Sequence, residues 1–185
     1  MNRRELSVAA NRLARLLHRL DLKLVLAESC TGGLVSATLA GIPGISNHLC
    51  GSAVVYRMGT KASWLGISEA VLDDPGPVSS VVAERMAQSV LRMTPEADLA
   101  ASVTGHLGPD APARQDGLIY IGFAARCAGV IHRRKTCLVA RHWLQRGTAS
   151  SEVRAGKRLR LRRQLQAAHL VIAGLYDLLN ENVRS

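Results

Sequence analysis

The hexapeptide Glu28-Ser29-Cys30-Thr31-Gly32-Gly33 sets two hydroxyls and a thiol directly ahead of two glycines. Where a strand turns into a helix, such a hydroxyl lies beside backbone N–H groups that have no intrahelical partner and can hold a developing oxyanion. The glycines let a ligand approach the backbone closely. The same turn also occurs where Ser29 or Thr31 only caps the helix that follows. Two further positions fall at comparable places. Tyr56 ends an apolar run with Lys61 five residues on, and Thr104-Gly105 ends another. A lysine desolvated near a serine gives up its proton more readily and becomes a general base, whereas a lysine in solvent stays an ammonium.

Several chemistries have no footing. The six histidines form no His-x-x-x-His or His-Glu-x-x-His pair, and Cys30, Cys50, Cys127 and Cys137 show no Cys-x-x-Cys spacing, so neither a metal site nor a disulfide scaffold is expected. Neither a P-loop nor a Gly-x-Gly-x-x-Gly is present, and no cofactor is implied. Between the neighbours Ser29 and Cys30, the serine is the expected nucleophile. A reactive thiol needs a nearby base, and only His106 comes near a strand end, whereas the serine has Lys61. Cys30 is expected to pack beneath the turn as a small hydrophobe.

The elements that must position these groups alternate along the chain. Residues 5–20 carry Leu6, Ala9, Leu13, Leu16, Leu17 and Leu20 at helical spacing. Residues 22–27 read as a strand, 34–39 as a helix, and 51–56 as a strand; 60–66 reads as a short helix with Trp64 and Leu65 inward. Ser79 or Ser80 caps a helix running to Met93, with Val82, Met86, Val90 and Met93 on one side. Residues 98–103 form a strand, and a loop then extends to Asp116. The β-rich runs 117–125 and 130–140, parted by Arg126-Cys127-Ala128-Gly129, suggest a hairpin and an antiparallel pair. A last helix over about 158–179 would bury Leu161, Leu165, Ala168, Ile172, Leu175 and Leu179. The sum is a three-layer α/β/α fold with a mixed, mostly parallel sheet.

With 185 residues, residues 1–185 are expected to form one domain, and 48% hydrophobic residues supply a core. Aromatics at 3% leave little for stacking a series of bases. No apolar run is long enough to cross a bilayer and no signal peptide is evident, so a cytoplasmic protein is expected. The net charge of +10 is local: residues 133–163 hold eleven Lys or Arg against one acid, Glu152. Such a tract is a solvated surface, the rim of an anion site, or a phosphate-attracting face.

In order, these segments resemble the CinA C-terminal domain family. The resemblance is carried by Ala27-Glu-Ser-Cys-Thr-Gly-Gly33, Ile42-Pro-Gly44, Tyr56-x4-Lys61, Leu65-Gly-Ile-Ser68, Val78-Ser79, Ala101-Ser-Val-Thr-Gly105, Gly108-Pro109 and Gly117-Leu-Ile-Tyr-Ile-Gly122. It implies a metal-independent amidase that converts nicotinamide mononucleotide and water to nicotinate mononucleotide and ammonia, in pyridine nucleotide salvage. On this sequence the implied nucleophile falls on Ser29, the base on Lys61 and the supporting threonine on Thr104, with Tyr56 orienting the lysine or the amide. Substrate contacts fall on Cys30, Thr31, Gly32, Gly33 and Gly105. The late family pattern Gly-Asp-Arg-x-x-Val-Arg is matched by Gly156-Lys-Arg158-x-x-Leu161-Arg162, which makes Arg158 and Arg162, facing the site or a neighbouring subunit, the expected phosphate contacts. The resemblance also implies a homo-oligomer, with no role for a membrane and none expected for nucleic acid. Two departures stand out: a shorter loop after Gly108-Pro109, carrying Asp110, and Lys157 in place of the pattern's Asp. They keep open a second function, an altered or inactive relative that binds a nucleotide or a protein partner.

Overall fold

The computed structural model of the chain describes residues 2–112, 114–127, 137–144 and 153–184. The first helix, α1 (Arg3–Leu20), opens on a capping box. The Asn2 side chain accepts from the Glu5 N–H at 3.0 Å, and the Glu5 carboxylate accepts from the Asn2 N–H at 2.9 Å. The chain continues through β1 (Leu24–Glu28), α2 (Leu34–Ala40), β2 (Leu49–Val54), α3 (Met58–Leu65), α4 (Glu69–Asp73) and α5 (Ser80–Met93). It then passes through β3 (Leu99–Gly105), β4 (Leu118–Ala125), β5 (Cys137–Trp143) and α6 (Val153–Arg184).

The strands lie in the order β2-β1-β3-β4-β5. β1 pairs parallel with β2 and β3, whereas β4 is antiparallel to both β3 and β5. Four strands therefore point one way and β4 alone runs back, which is the mixed, mostly parallel sheet expected. One face packs Leu24, Leu26, Leu99, Ala101 and Val103 against α1, α2 and α6. The other packs Val25, Ala27, Ala100 and Ala124 against the helices α3 to α5. Strand alternation divides these residues, successive side chains pointing to opposite faces.

Three side chains lie opposite to expectation: Trp64, Met93 and Leu161 are 55%, 58% and 52% exposed. In α3 the single inward stripe is taken by Lys61 and Leu65, one turn apart, which leaves Trp64 outside. The turn of α6 on which Leu161 should face inward instead buries Arg163. Helix α4 is five residues long and buries Leu72 alone, too little for a periodic pattern. The antiparallel β4–β5 pair is present, with β5 ending at Trp143; residues 128–136, which include the expected start of that strand, and 145–152 lie outside the described residues.

Candidate active site

The carboxyl ends of β1 and β3 lie side by side. Glu28 is in register with Val103, and the Ser29 N–H donates to Val103 O at 3.0 Å, so the turn after β1 is tied to the last residues of β3. On β3, Ser102 and Thr104 alternate with the buried Ala101 and Val103, and therefore face α5 and α3. Above these ends opens a cavity of about 460 Å3. Ser29, Cys30, Lys61, Thr104 and Gly105 lie along it, with Tyr56 and Met58, Pro77 and Val78, residues 106–111 and Arg160 making up the rest of its lining.

Lys61 is 2% exposed and reaches across from α3. Its Nζ donates to Thr104 Oγ1 at 2.9 Å and to Pro77 O at 2.8 Å. Thr104 Oγ1 donates its own hydrogen to Pro77 O at 2.8 Å, so toward Lys61 it must act as acceptor. Both contacts thus use N–H groups of Lys61. In the neutral amine those are the only two hydrogens, and the remaining position of the nitrogen is its lone pair. Burial pulls Lys61 down from the ordinary 10.5 to about 8, with the Cys30 thiol acting weakly in the opposite sense.

Ser29 is 6% exposed and lines the cavity, and its hydroxyl makes no hydrogen bond among the described residues. Beside it, burial pushes the Cys30 thiol up to about 12, which removes the thiolate that nucleophilic sulfur requires. The rest of the turn is committed to structure. Glu28, fully buried, accepts from Thr31 Oγ1 at 2.8 Å, Val35 N at 3.0 Å, Ser36 N at 2.9 Å and Ser52 Oγ at 3.2 Å. It supplies the cap that Gly33 has no side chain to make. Gly32 and Gly33, at φ +61° and +93°, make the left-handed turn. Of the turn's N–H groups, that of Gly32 goes to Ser29 O, and those of Cys30, Thr31 and Gly33 meet no main-chain carbonyl among the described residues.

Ser29, Cys30, Tyr56, Lys61, Thr104 and Gly105 are therefore brought together, whereas Thr31, Gly32 and Gly33 shape the turn without lining the cavity. Gly105 admits no side chain: a Cβ there would come within 2.8 Å of Leu118 O. Arg158 and Arg162 are exposed on α6 and line no part of the cavity. The arginine that does is Arg160, whose Nη1 donates to Gly108 O at 2.9 Å and whose Nη2 donates to the Tyr56 hydroxyl. It spans from the loop after β3 to the end of β2. Arg163, on the adjoining helix face, is fully buried and pairs through both terminal nitrogens with Asp116, at 2.5 and 2.7 Å. The two arginines tie the loop after β3 to α6 through Leu107 O, Gly108 O and Asp116.

Sequence reasoning passed over Met58, Pro77, Arg160 and, as a lining residue, His106; Asp110 it had marked as a departure in the loop after Pro109. Only His106 left a clear trace, since it follows Thr104 by two and so shares its side of an extended chain. Among the described residues no three His, Cys, Asp or Glu side chains gather to hold a metal, and no helix is long and apolar enough to cross a membrane.

Comparison with known proteins gives a consistent result. The pattern of the CinA C-terminal domain matches residues 6–159. A CinA-like protein of Geobacter metallireducens is 37% identical over 147 residues, 72% of this chain and 35% of that protein. A CinA-like protein of Syntrophotalea carbinolica is 39% identical over 117 residues, 62% of this chain and 28% of its own. The chain thus spans about a third of the length of these relatives. A solved competence-damaged protein (CinA) superfamily protein of Klebsiella pneumoniae superposes with a TM-score of 0.81 at 20% identity, over 98% of this chain and 99% of that one.

Proposed function

Because the chain belongs to the CinA C-terminal domain family, we propose that it is a nicotinamide-nucleotide amidohydrolase with Ser29 as nucleophile and Lys61 as general base. The observation that carries this reading is the buried Lys61, with burial lowering its pKa and both hydrogens of its amine form donated away, in the cavity that also holds the uncommitted Ser29 hydroxyl. The Ser29 proton passes to the Lys61 lone pair as Oγ bonds to the carboxamide carbon. The Cys30 N–H meets the oxyanion. On collapse the C–N bond breaks, the Lys61 ammonium returns its proton to departing ammonia, and water then cleaves the acyl-serine to the carboxylate. Thr104 and Pro77 O act as positioning groups that aim Nζ.

The cavity volume suits a mononucleotide. Tyr56 and Met58 offer an apolar wall to the pyridine ring. Arg160 is the guanidinium in reach of a phosphate, taking the role the sequence had suggested for Arg158 and Arg162. The test is ammonia release from nicotinamide mononucleotide, with nicotinamide riboside as the unphosphorylated control. Release from the mononucleotide, weaker from the riboside, supports the reading; release from neither overturns it.

A further inference from the structure

His106 lies in the same cavity, and the mechanism above gives it no task. His106 follows directly on β3 and is tied to the start of β4 off the regular register: its N–H donates to Leu118 O at 2.8 Å, and its carbonyl accepts from the neighbouring Gly117 N at 3.0 Å. His106 lines the cavity together with Lys61 and Thr104, near enough for the Lys61 charge to act on its ring. Unlike Lys61 and Thr104 it is only partly buried and is open to entering water. Burial and the neighbouring Lys61 charge hold its pKa below the usual 6.5, while Gln115 and Asp116 act in the opposite sense. A lowered pKa favours the neutral imidazole, whose unprotonated nitrogen is a proton acceptor, and the Gln115 side chain hydrogen-bonds to the ring. The other titratable or charged groups lining the cavity are Cys30, Tyr56, Asp110 and Arg160, with the Asp116–Arg163 pair behind the wall.

We propose that His106 is the base that activates water against acyl-Ser29, so that the two halves of the reaction use different proton acceptors. The inference rests on the amidase reading for the existence of that intermediate. Lys61, bonded on two sides by Thr104 and Pro77 O, is aimed at the serine oxygen, which acylation then occupies. Water enters where ammonia left, from the open side on which His106 stands. A water proton passes to the ring nitrogen as the water oxygen bonds to the acyl carbon. Collapse breaks the C–Oγ bond, and the imidazolium returns its proton to Ser29. The carboxylic acid leaves, and the site is as it began.

The experiment compares the whole protein with His106→Gln and, as a second variant, His106→Asn, each confirmed as folded by circular dichroism. It uses nicotinamide mononucleotide in one arm and p-nitrophenyl acetate in the other. Both variants should release about one equivalent of ammonia, or of p-nitrophenol, in a burst, and then turn over roughly 100-fold more slowly than the parent, as expected for loss of a general base. Acid-quenched samples should carry the acyl group on Ser29, and hydroxylamine should restore turnover by attacking the ester in place of water. A uniformly slower reaction with no burst, an unchanged steady-state rate, or a rise in KM alone overturns the assignment. If the parent spares the mononucleotide but the ester shows the burst only in the variants, the substrate reading falls and His106 keeps its role. If ammonia is released by all three proteins without a burst, the reverse holds. If the parent reacts in neither arm, both fall.

Discussion

Replacing Lys61 by Met should abolish activity and yet raise stability at pH 7, and the gain should reverse in alkali. The side chain is 2% exposed, and burial lowers its pKa from 10.5 to about 8. Below pH 8 both folded and unfolded chains hold the ammonium, so the folded state bears the full cost of burying it, roughly 3 kcal/mol. Between pH 8 and 10.5 the folded chain has already released a proton that the unfolded chain keeps. Stability therefore rises with pH through that window, and the cost is mostly gone at its upper end. Methionine has a similar length and no charge, but it forfeits the bonds to Thr104 and Pro77 O, about 1 kcal/mol each. The balance at pH 7 is a gain of about 1 kcal/mol, or a Tm higher by about 2–4 °C for a chain of this size. At pH 9.5 roughly 2 kcal/mol of the burial cost has been relieved in the parent, so the variant should melt below it. Calorimetry of both proteins at the two pH values, on matched samples, gives the answer. A variant less stable by the same amount at both would refute the view that Lys61 is held as a desolvated amine.

The catalytic rate should rise with pH through about 8, as the Lys61 amine becomes populated, and Lys61→Arg should be inactive at every pH because guanidinium does not yield its proton. Near-normal turnover in that variant, measured as ammonia release, excludes the lysine as base. Iodoacetamide at pH 8 should alkylate the exposed Cys127 and spare Cys30, whose thiol is pushed up to about 12; peptide mass mapping reads the difference. Arg160→Ala should raise KM about tenfold or more for the mononucleotide and far less for the riboside, as loss of a charge-assisted contact would. Arg158→Ala, on the exposed face, should leave both unchanged in the same assay.

The parts legible in the sequence were those set by a period or a turn. Short apolar runs mark β1 and β3, paired glycines mark the turn after Glu28, and because strand ends on one side of a sheet converge, Ser29, Lys61 and Thr104 could be placed at one site before any geometry was known. The phase of α6 was not legible. A pattern that treats arginine as outward and leucine as inward turns Leu161 to the core, but the pairing with the half-exposed Asp116 reverses the first turns of the helix, bringing Arg163 inside and Arg160 over the cavity. That pairing spans 47 residues, and no local rule reports it. Trp64 shows the same limit. A helix of eight residues has one inward stripe, and here Lys61 and Leu65 occupy it. Glu28 reads as part of a polar motif, yet its carboxylate does the work of a helix cap delivered from the neighbouring strand.

The central claim is that the Ser29 hydroxyl, with Lys61, attacks the amide while the adjacent thiol takes no part. Ammonia release from nicotinamide mononucleotide by the parent, Ser29→Ala and Cys30→Ala, with ligand binding followed by calorimetry, tests it most directly. Ser29→Ala should bind the mononucleotide and release no ammonia, and Cys30→Ala should keep most of the parent rate with a lower Tm from the small cavity it leaves. A folded Cys30→Ala that is inactive beside a Ser29→Ala that still turns over would contradict the account.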